Sequence, residues 1–170
     1  MKLNQIPIVS IIGYSNSGKT TLVEKLIKEF KNKNLKVGTV KHDVHGFEMD
    51  HPGKDSFRHK KAGASISIIS SPYQIGMVRD VDHDYKPTEL LPFFHDMDIV
   101  LVEGYKKDKT IHKIEIFRKN VSESRICIND PNLIAIVSDT TFDTEKIPQF
   151  SLNDINGLIE YLIFKFKIKG

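Results

Sequence analysis

Eight consecutive residues, Gly13-Tyr14-Ser15-Asn16-Ser17-Gly18-Lys19-Thr20, place two glycines, an ammonium group and a hydroxyl at the spacing G-x-x-x-x-G-K-[ST]. Each type has a chemical reason to stand there. Gly13 and Gly18 let the main chain turn and approach an anion closely. Lys19 supplies a point charge for the β- and γ-phosphate oxygens of a nucleoside triphosphate, and the Thr20 hydroxyl is an oxygen ligand for Mg2+. Successive main-chain N–H groups through Ser15, Asn16, Ser17 and Thr21 complete the candidate phosphate donors. At average residue frequencies the pattern arises by chance in roughly one chain of this length in a hundred. An ordinary glycine turn before a helix would explain the glycines but has no need of Gly-Lys-Thr.

Such a loop wants a carboxylate at the end of a neighbouring buried strand, to hold the metal directly or through water. Ile99-Val100-Leu101-Val102-Glu103-Gly104 offers Glu103 in that position, although a surface carboxylate after an edge strand would read the same way. Asp50, in the polar segment Lys41–Ser56, is the best second magnesium partner. The nearby Lys54 and Arg58 are cations suited to an anionic ligand. Four histidines, His42, His45, His51 and His59, also admit a transition-metal reading, but they form no compact His/Cys ligand set. Asp139 ends the run Ile134-Ala135-Ile136-Val137-Ser138. A carboxylate there can accept from both N1–H and the 2-amino group of guanine, which adenine cannot offer. A simple strand-end turn would place an Asp there too, and the usual Asn-Lys-x-Asp signature is missing.

These groups need positioning elements. Ile6–Ile12 is almost wholly apolar and β-branched, as a strand buried on both faces of a parallel sheet should be. After the glycine loop, Leu22, Leu26, Ile27 and Phe30 recur at helical spacing until Lys33-Asn34. Leu35–Val40 reads as a second strand, followed by a long polar loop with no hydrophobic period until about Phe57, a length that marks a functional loop. Ser65–Ser70 and Gln74–Arg79 read as a hairpin turning at Ser71-Pro72-Tyr73. Pro87-Thr88-Glu89 opens a short helical stretch, and Ile99–Val102, Ile114–Phe117 and Leu133–Val137 are further strands. The last segment repeats Ile155, Leu158, Ile159, Leu162, Ile163 and Phe166 at helical spacing, with Ser151 as expected N-cap and Asp154 in the first turn. Strand, glycine loop and helix, followed by further strands, predict an α/β fold: a three-layer phosphate-loop NTPase, mostly parallel, with a local antiparallel hairpin, as one domain over residues 1–170.

The 170 residues, 39% hydrophobic and 28% charged, suit one globular domain. No stretch approaches the roughly 20 apolar residues of a membrane span, and the N-terminus has one Lys followed by Asn4 and Gln5. The expected compartment is the cytoplasm. With 25 basic residues against 22 acidic ones, the formal charge of +3 gives nucleic-acid binding little support. Lys165, Lys167 and Lys169 read as a solvated tail. The lone Cys127, inside Ile126–Ile128, excludes an internal disulfide and reads as a small buried hydrophobe.

Taken together, these stretches make the chain resemble the MobB family of molybdopterin-guanine dinucleotide biosynthesis proteins. The resemblance rests on Gly13–Thr20, on Lys41-His42 leading to Asp50-His51-Pro52-Gly53-Lys54-Asp55-Ser56 with Arg58 and Ala62-Gly63-Ala64, on Val102-Glu103-Gly104-Tyr105-Lys106, and on Lys113-Ile114-Glu115-Ile116-Phe117-Arg118. It implies a homodimeric adapter that binds GTP and magnesium and hydrolyses GTP slowly. The same resemblance implies that it assists the guanylyltransferase (MobA-like) that attaches GMP to molybdopterin in molybdenum cofactor assembly. By the same route Asp50, Glu103 and the Pro52–Ser56 block are active-site residues, and Gln74–Arg79 contributes to the dimer contact. The chain departs from the family pattern after Lys41-His42, where Val44-His45 stands in place of paired histidines. Two other readings stay open. A small-molecule kinase would use Arg58 and Lys54 to grip a transferred phosphate and Asp50 as base, whereas a nickel-inserting metallochaperone GTPase is favoured only by the histidines.

Overall fold

A computed structural model describes residues 6–47, 50–143 and 146–169. Asn4, Gln5, Glu48 and Met49, used in the reading above, lie outside them. The chain divides into two compact units, residues 1–42 with 86–170, and residues 43–85.

The first unit is a six-stranded parallel sheet. Its strands are β1 (Ile8–Ile12), β2 (Val37–Lys41), β5 (Ile99–Glu103), β6 (His112–Phe117), β7 (Leu133–Ser138) and β8 (Gln149–Ser151), in the order β2-β5-β1-β6-β7-β8. The β-branched runs behave as their composition demands. Every residue of β1 and β7 is buried, because both faces of these strands are covered. On one face Val9 and Ile11 pack against helices α1 (Lys19–Asn32) and α3 (Ile155–Phe166), whose Leu22, Leu26, Phe30, Leu158, Ile159 and Leu162 form the main core. Each fully buried side chain of this kind contributes about 1.5–3 kcal/mol. On the other face the covering layer is thinner. Ile8, Val100 and Val102 meet Leu91 and Phe94 of a 3-10 helix at Pro87–Phe94, while Ile12, Leu133 and Ile136 meet Cys127, Phe142 and Ile147.

From β1 the chain crosses by α1 to β2 on one side, and from β5 it passes over β1 to β6 on the other, so the strand order reverses around β1 and the crevice at its carboxyl end is where a ligand is expected. The phosphate loop opens there.

The second unit contains α2 (Asp55–Lys61) and the antiparallel pair β3 (Ile66–Ser70) and β4 (Ile75–Arg79), with Ile68 opposite Met77. The hairpin expected from the sequence is present, and its Ser71 N–H donates to the Gln74 carbonyl across the turn. Its apolar residues are not buried: Ile66, Ile68, Ile69, Tyr73, Ile75 and Met77 are all exposed.

Three local expectations are corrected. The polar stretch expected to be structureless up to about Phe57 yields to helix α2 at Asp55, because Asp55 in the first turn and four basic residues at the other end complement the helix dipole without an apolar stripe. The N-cap of α3 is Asp154, whose carboxylate accepts from Gly157 N–H at 3.0 Å. Ser151 belongs instead to β8, a three-residue strand too short to show a period. Lys165 lies in the last turn of α3 rather than in a tail, where a cation faces the negative end of the helix.

Candidate functional site

The loop after β1 is shaped before any ligand enters. Ser17 N–H closes a turn on the Tyr14 carbonyl at 3.2 Å, Asn16 adopts a positive φ of 63°, and Gly18 caps α1 at φ 97°. Gly13 is required by proximity. A Cβ there would stand 2.6 Å from the Ile116 carbonyl of β6 and 2.5 Å from Ser17 Oγ. Helix α1 has no side-chain cap and no acidic residue in its first turn, so its first amides and positive dipole end are left for an external anion.

Lys19 folds back over this loop, its Nζ donating to the carbonyls of Gly13 at 3.2 Å and Tyr14 at 2.8 Å. Thr20 Oγ1 donates to both carboxylate oxygens of Glu103, at 3.1 and 3.0 Å. Glu103 ends β5 and is held from two sides: its own carbonyl accepts from His42 N–H, and Ser10 Oγ of β1 donates to the carbonyl of Gly104. Gly104 needs φ 115°, and a Cβ there would sit 3.0 Å from that of His42, whose ring stacks on Tyr105 at 3.9 Å. A hydroxyl and a carboxylate 83 residues apart are thus brought into contact. Hard oxygen donors of this kind suit Mg2+. The donor set also fits a polyphosphate, since the Ser17 hydroxyl oxygen is buried and finds no hydrogen-bond partner among the described residues.

Asp139, just past β7, is exposed, and its Oδ1 accepts from Lys119 N–H at 3.0 Å. One oxygen therefore pins the strand-end turn, and the carboxylate keeps further acceptor capacity.

Asp50, Lys54 and Arg58 fall in the second unit. Asp50 and Lys54 line one open cavity of about 650 Å³ with His51, Asp55, Ser56 and His59. Arg58 lines another of about 540 Å³ and pairs with Asp55 at 3.6 Å, both side chains exposed. Asp50 Oδ1 accepts from His51 N–H. Among the described residues no group of three or more His, Cys, Asp and Glu side chains is placed to hold a metal ion.

Two features escaped the sequence reading. Beneath the loop joining β6 to β7, Lys113, 2% exposed, pairs with Asp130 at 2.6 Å and donates to the Lys106 carbonyl. Glu115 accepts from the amides of Ile126 and Cys127. Cys127 is buried as expected, yet its thiol faces Asp130 at 3.7 Å, and burial with the Glu115 and Asp130 charges pushes it up to about 12. Burial opposes the Asp130 charge, but the Lys113 and Asn132 hydrogen bonds outweigh it and hold the carboxyl below its usual range. The available signal was a Lys and a Glu alternating with Ile114 and Ile116 in a strand that had to lie inside a parallel sheet. The second feature is Arg118, at the end of β6: its Nη2 comes within 3.4 Å of a Cβ built on Gly18.

Residues 8–139 match the model of the family described as "MobB: Molybdopterin guanine dinucleotide synthesis protein B". The chain belongs to the MobB family. It is 31% identical to the molybdopterin-guanine dinucleotide biosynthesis adapter protein of Escherichia coli (strain K12) over 163 residues, covering 93% of this chain and 92% of that one. It is 35% identical to the Haemophilus influenzae protein of the same name over 157 residues, 87% of each chain. The crystal structure of Bacillus subtilis MobB superposes with a TM-score of 0.74 at 28% identity, covering 96% of this chain and 99% of that one. The hydrogenase maturation factor HypB from Archaeoglobus fulgidus shares the fold at a TM-score of 0.51 and 16% identity. The MobB match agrees with the expected fold, a phosphate-loop NTPase with a mostly parallel sheet and an antiparallel hairpin. No described helix is long and apolar enough to cross a membrane.

Proposed function

We propose that this MobB-family chain is a GTP- and Mg2+-binding adapter in the cytoplasm that assists the guanylyltransferase attaching GMP to molybdopterin. The observation that carries the reading is the contact of Thr20 Oγ1 with both oxygens of Glu103 at the mouth of a preformed phosphate loop. Thr20 and Glu103 would hold Mg2+, the amides of residues 15–21 and Lys19 would bind the β- and γ-phosphates, and Asp139 would read guanine. Bound metal would neutralise triphosphate charge. The roles of Asp50 as a further metal partner and of Lys54 and Arg58 toward the anion rest on their residue types in the polar segment after β2 and on the family resemblance. Hydrolysis is expected to be slow, because no arginine finger or catalytic glutamine occupies a predictable place. Equilibrium dialysis with GTP and ATP, with and without Mg2+, tests the reading. GTP binding should exceed ATP binding and should strengthen with Mg2+. Equal binding of the two would remove the guanine assignment, and indifference to Mg2+ would remove the metal assignment.

The same family reading gives a homodimer, and the exposed hairpin supports it. A two-stranded sheet is marginally stable alone in water, and a contiguous exposed apolar patch marks an interface. Ile66, Ile68, Ile75 and Met77 are exposed and share one face of the hairpin.

A further inference from the structure

Arg118 follows directly on β6, the strand that flanks the phosphate loop on the side away from Glu103. Its side chain lies beside Gly18, with Nη2 3.4 Å and Nε 3.7 Å from a Cβ built there. Gly18 is the N-cap of α1 and presents the first uncapped amides of the helix. Nε of Arg118 is buried and has no hydrogen-bond partner among the described residues. Leaving a buried donor of a charged group unpaired is costly, so such a group in a native structure calls for a partner. The planar guanidinium fork matches phosphate oxygens in two-pronged geometry.

Strand order decides which phosphate. In the order β5-β1-β6-β7, the metal pair Thr20 and Glu103 marks the β5 side of the loop, while Arg118 stands on the β6 side, toward β7 and Asp139. A nucleotide with its terminal phosphate at the metal and its base at Asp139 passes Arg118 with the phosphates nearest its sugar. We propose that Arg118 binds the α- and β-phosphate end of the bound nucleotide, the part shared by GTP and GDP. This rests on the nucleotide reading given above.

The test is calorimetric titration of the full chain with GTP and with GDP, comparing wild type, Arg118→Ala, Arg118→Lys, Arg118→Gln and Lys19→Ala. Arg118→Ala should weaken GTP and GDP by the same factor, tenfold or more. Arg118→Lys should recover part of that, and melting without nucleotide should stay at the wild-type temperature. Wild-type affinity for both nucleotides in Arg118→Ala overturns the proposal, as does a loss confined to GTP, which would place the side chain at the terminal phosphate. Should Arg118→Ala fail to fold, Arg118→Gln keeps the three-carbon stem and a hydrogen-bonding end without the charge, and wild-type binding by that folded variant overturns the proposal equally. Lys19→Ala separates the two claims. If it retains GTP affinity, the nucleotide reading fails; if it loses affinity while the Arg118 variants do not, only the Arg118 assignment falls.

Discussion

Gly13→Ala isolates one physical cause at the head of the phosphate loop. The backbone of Gly13 is not in the left-handed region, so a methyl group there meets no conformational penalty, only neighbours. Those neighbours are the Ile116 carbonyl at 2.6 Å, Ile116 Cγ2 at 2.8 Å and Ser17 Oγ at 2.5 Å. Ordinary contact begins near 3.4 Å, so the carbonyl must be displaced by about 0.8 Å, which is 3.4 less 2.6. That carbonyl cannot yield cheaply, because β6 is paired with β1 on one side and with β7 on the other. Forcing an extra methyl into a packed site costs about 1–3 kcal/mol. For a chain of this size about 2 kcal/mol lowers the melting temperature by about 4–8 °C. The same displacement moves the amides around Ser17 out of register with a bound phosphate, so GTP affinity should fall at least tenfold. Thermal unfolding by circular dichroism and GTP titration check the two halves. A Gly13→Ala protein with the wild-type melting temperature and a GTP Kd within twofold of wild type refutes the steric argument.

Asp130→Asn leaves the Lys113 ammonium charged and nearly sealed from water, so at neutral pH it should destabilise the fold by about 3–5 kcal/mol in urea titrations. Asp130 titrates below its ordinary value when folded, so its contribution is present above the unfolded pKa, near 4, and is lost as pH falls through the folded one. The gap between wild type and variant should therefore close in acid, and a gap constant from pH 7 to pH 3 would contradict the assignment. In Asp139→Asn the side-chain carbonyl can still accept from Lys119 N–H, so the turn survives while the carboxylate is lost; discrimination between GTP and ATP should shrink, and unchanged discrimination returns Asp139 to the turn. Ile68→Lys alters an exposed position, 57% accessible, and should leave monomer stability within about 0.5 kcal/mol while halving the mass seen by light scattering; an unchanged dimer mass would move the contact elsewhere.

The legible parts of this molecule are those encoded by neighbours in the chain. Ile8–Ile12 had to be a doubly buried strand because only Ser10 in it could face water, and Gly13–Thr20 combines residue types that only close approach to an anion requires. Two β-type runs on either side of Ser71-Pro72-Tyr73 marked the hairpin, and the period of Leu22, Leu26 and Phe30 marked α1. What stayed hidden depends on contacts between distant residues. Helix α2 has no buried residue and so no period to read, and β8 is a strand only because β7 offers it a free edge. Lys113 and Glu115 are charges inside a buried strand, and only Asp130 and the amides of residues 126 and 127, distant along the chain, partner them there.

The difference between Glu103 and Arg118 shows why a site can be half legible. Both end strands adjacent to β1, and both flank the same loop. Glu103 could be found because a carboxylate after four apolar residues is unusual enough to ask what it serves. Arg118 also follows a mostly buried strand, but a basic residue before Lys119-Asn120 resembles any solvated strand end, and only the placement of β6 beside β1 turns it inward. Strand order is a tertiary property, fixed by which crossovers pack best over the sheet. An unpaired Nε beside the cap of α1 therefore carries information about the ligand that no local pattern held, and it predicts a dependence of GDP affinity on Arg118 that the phosphate-loop motif alone does not require.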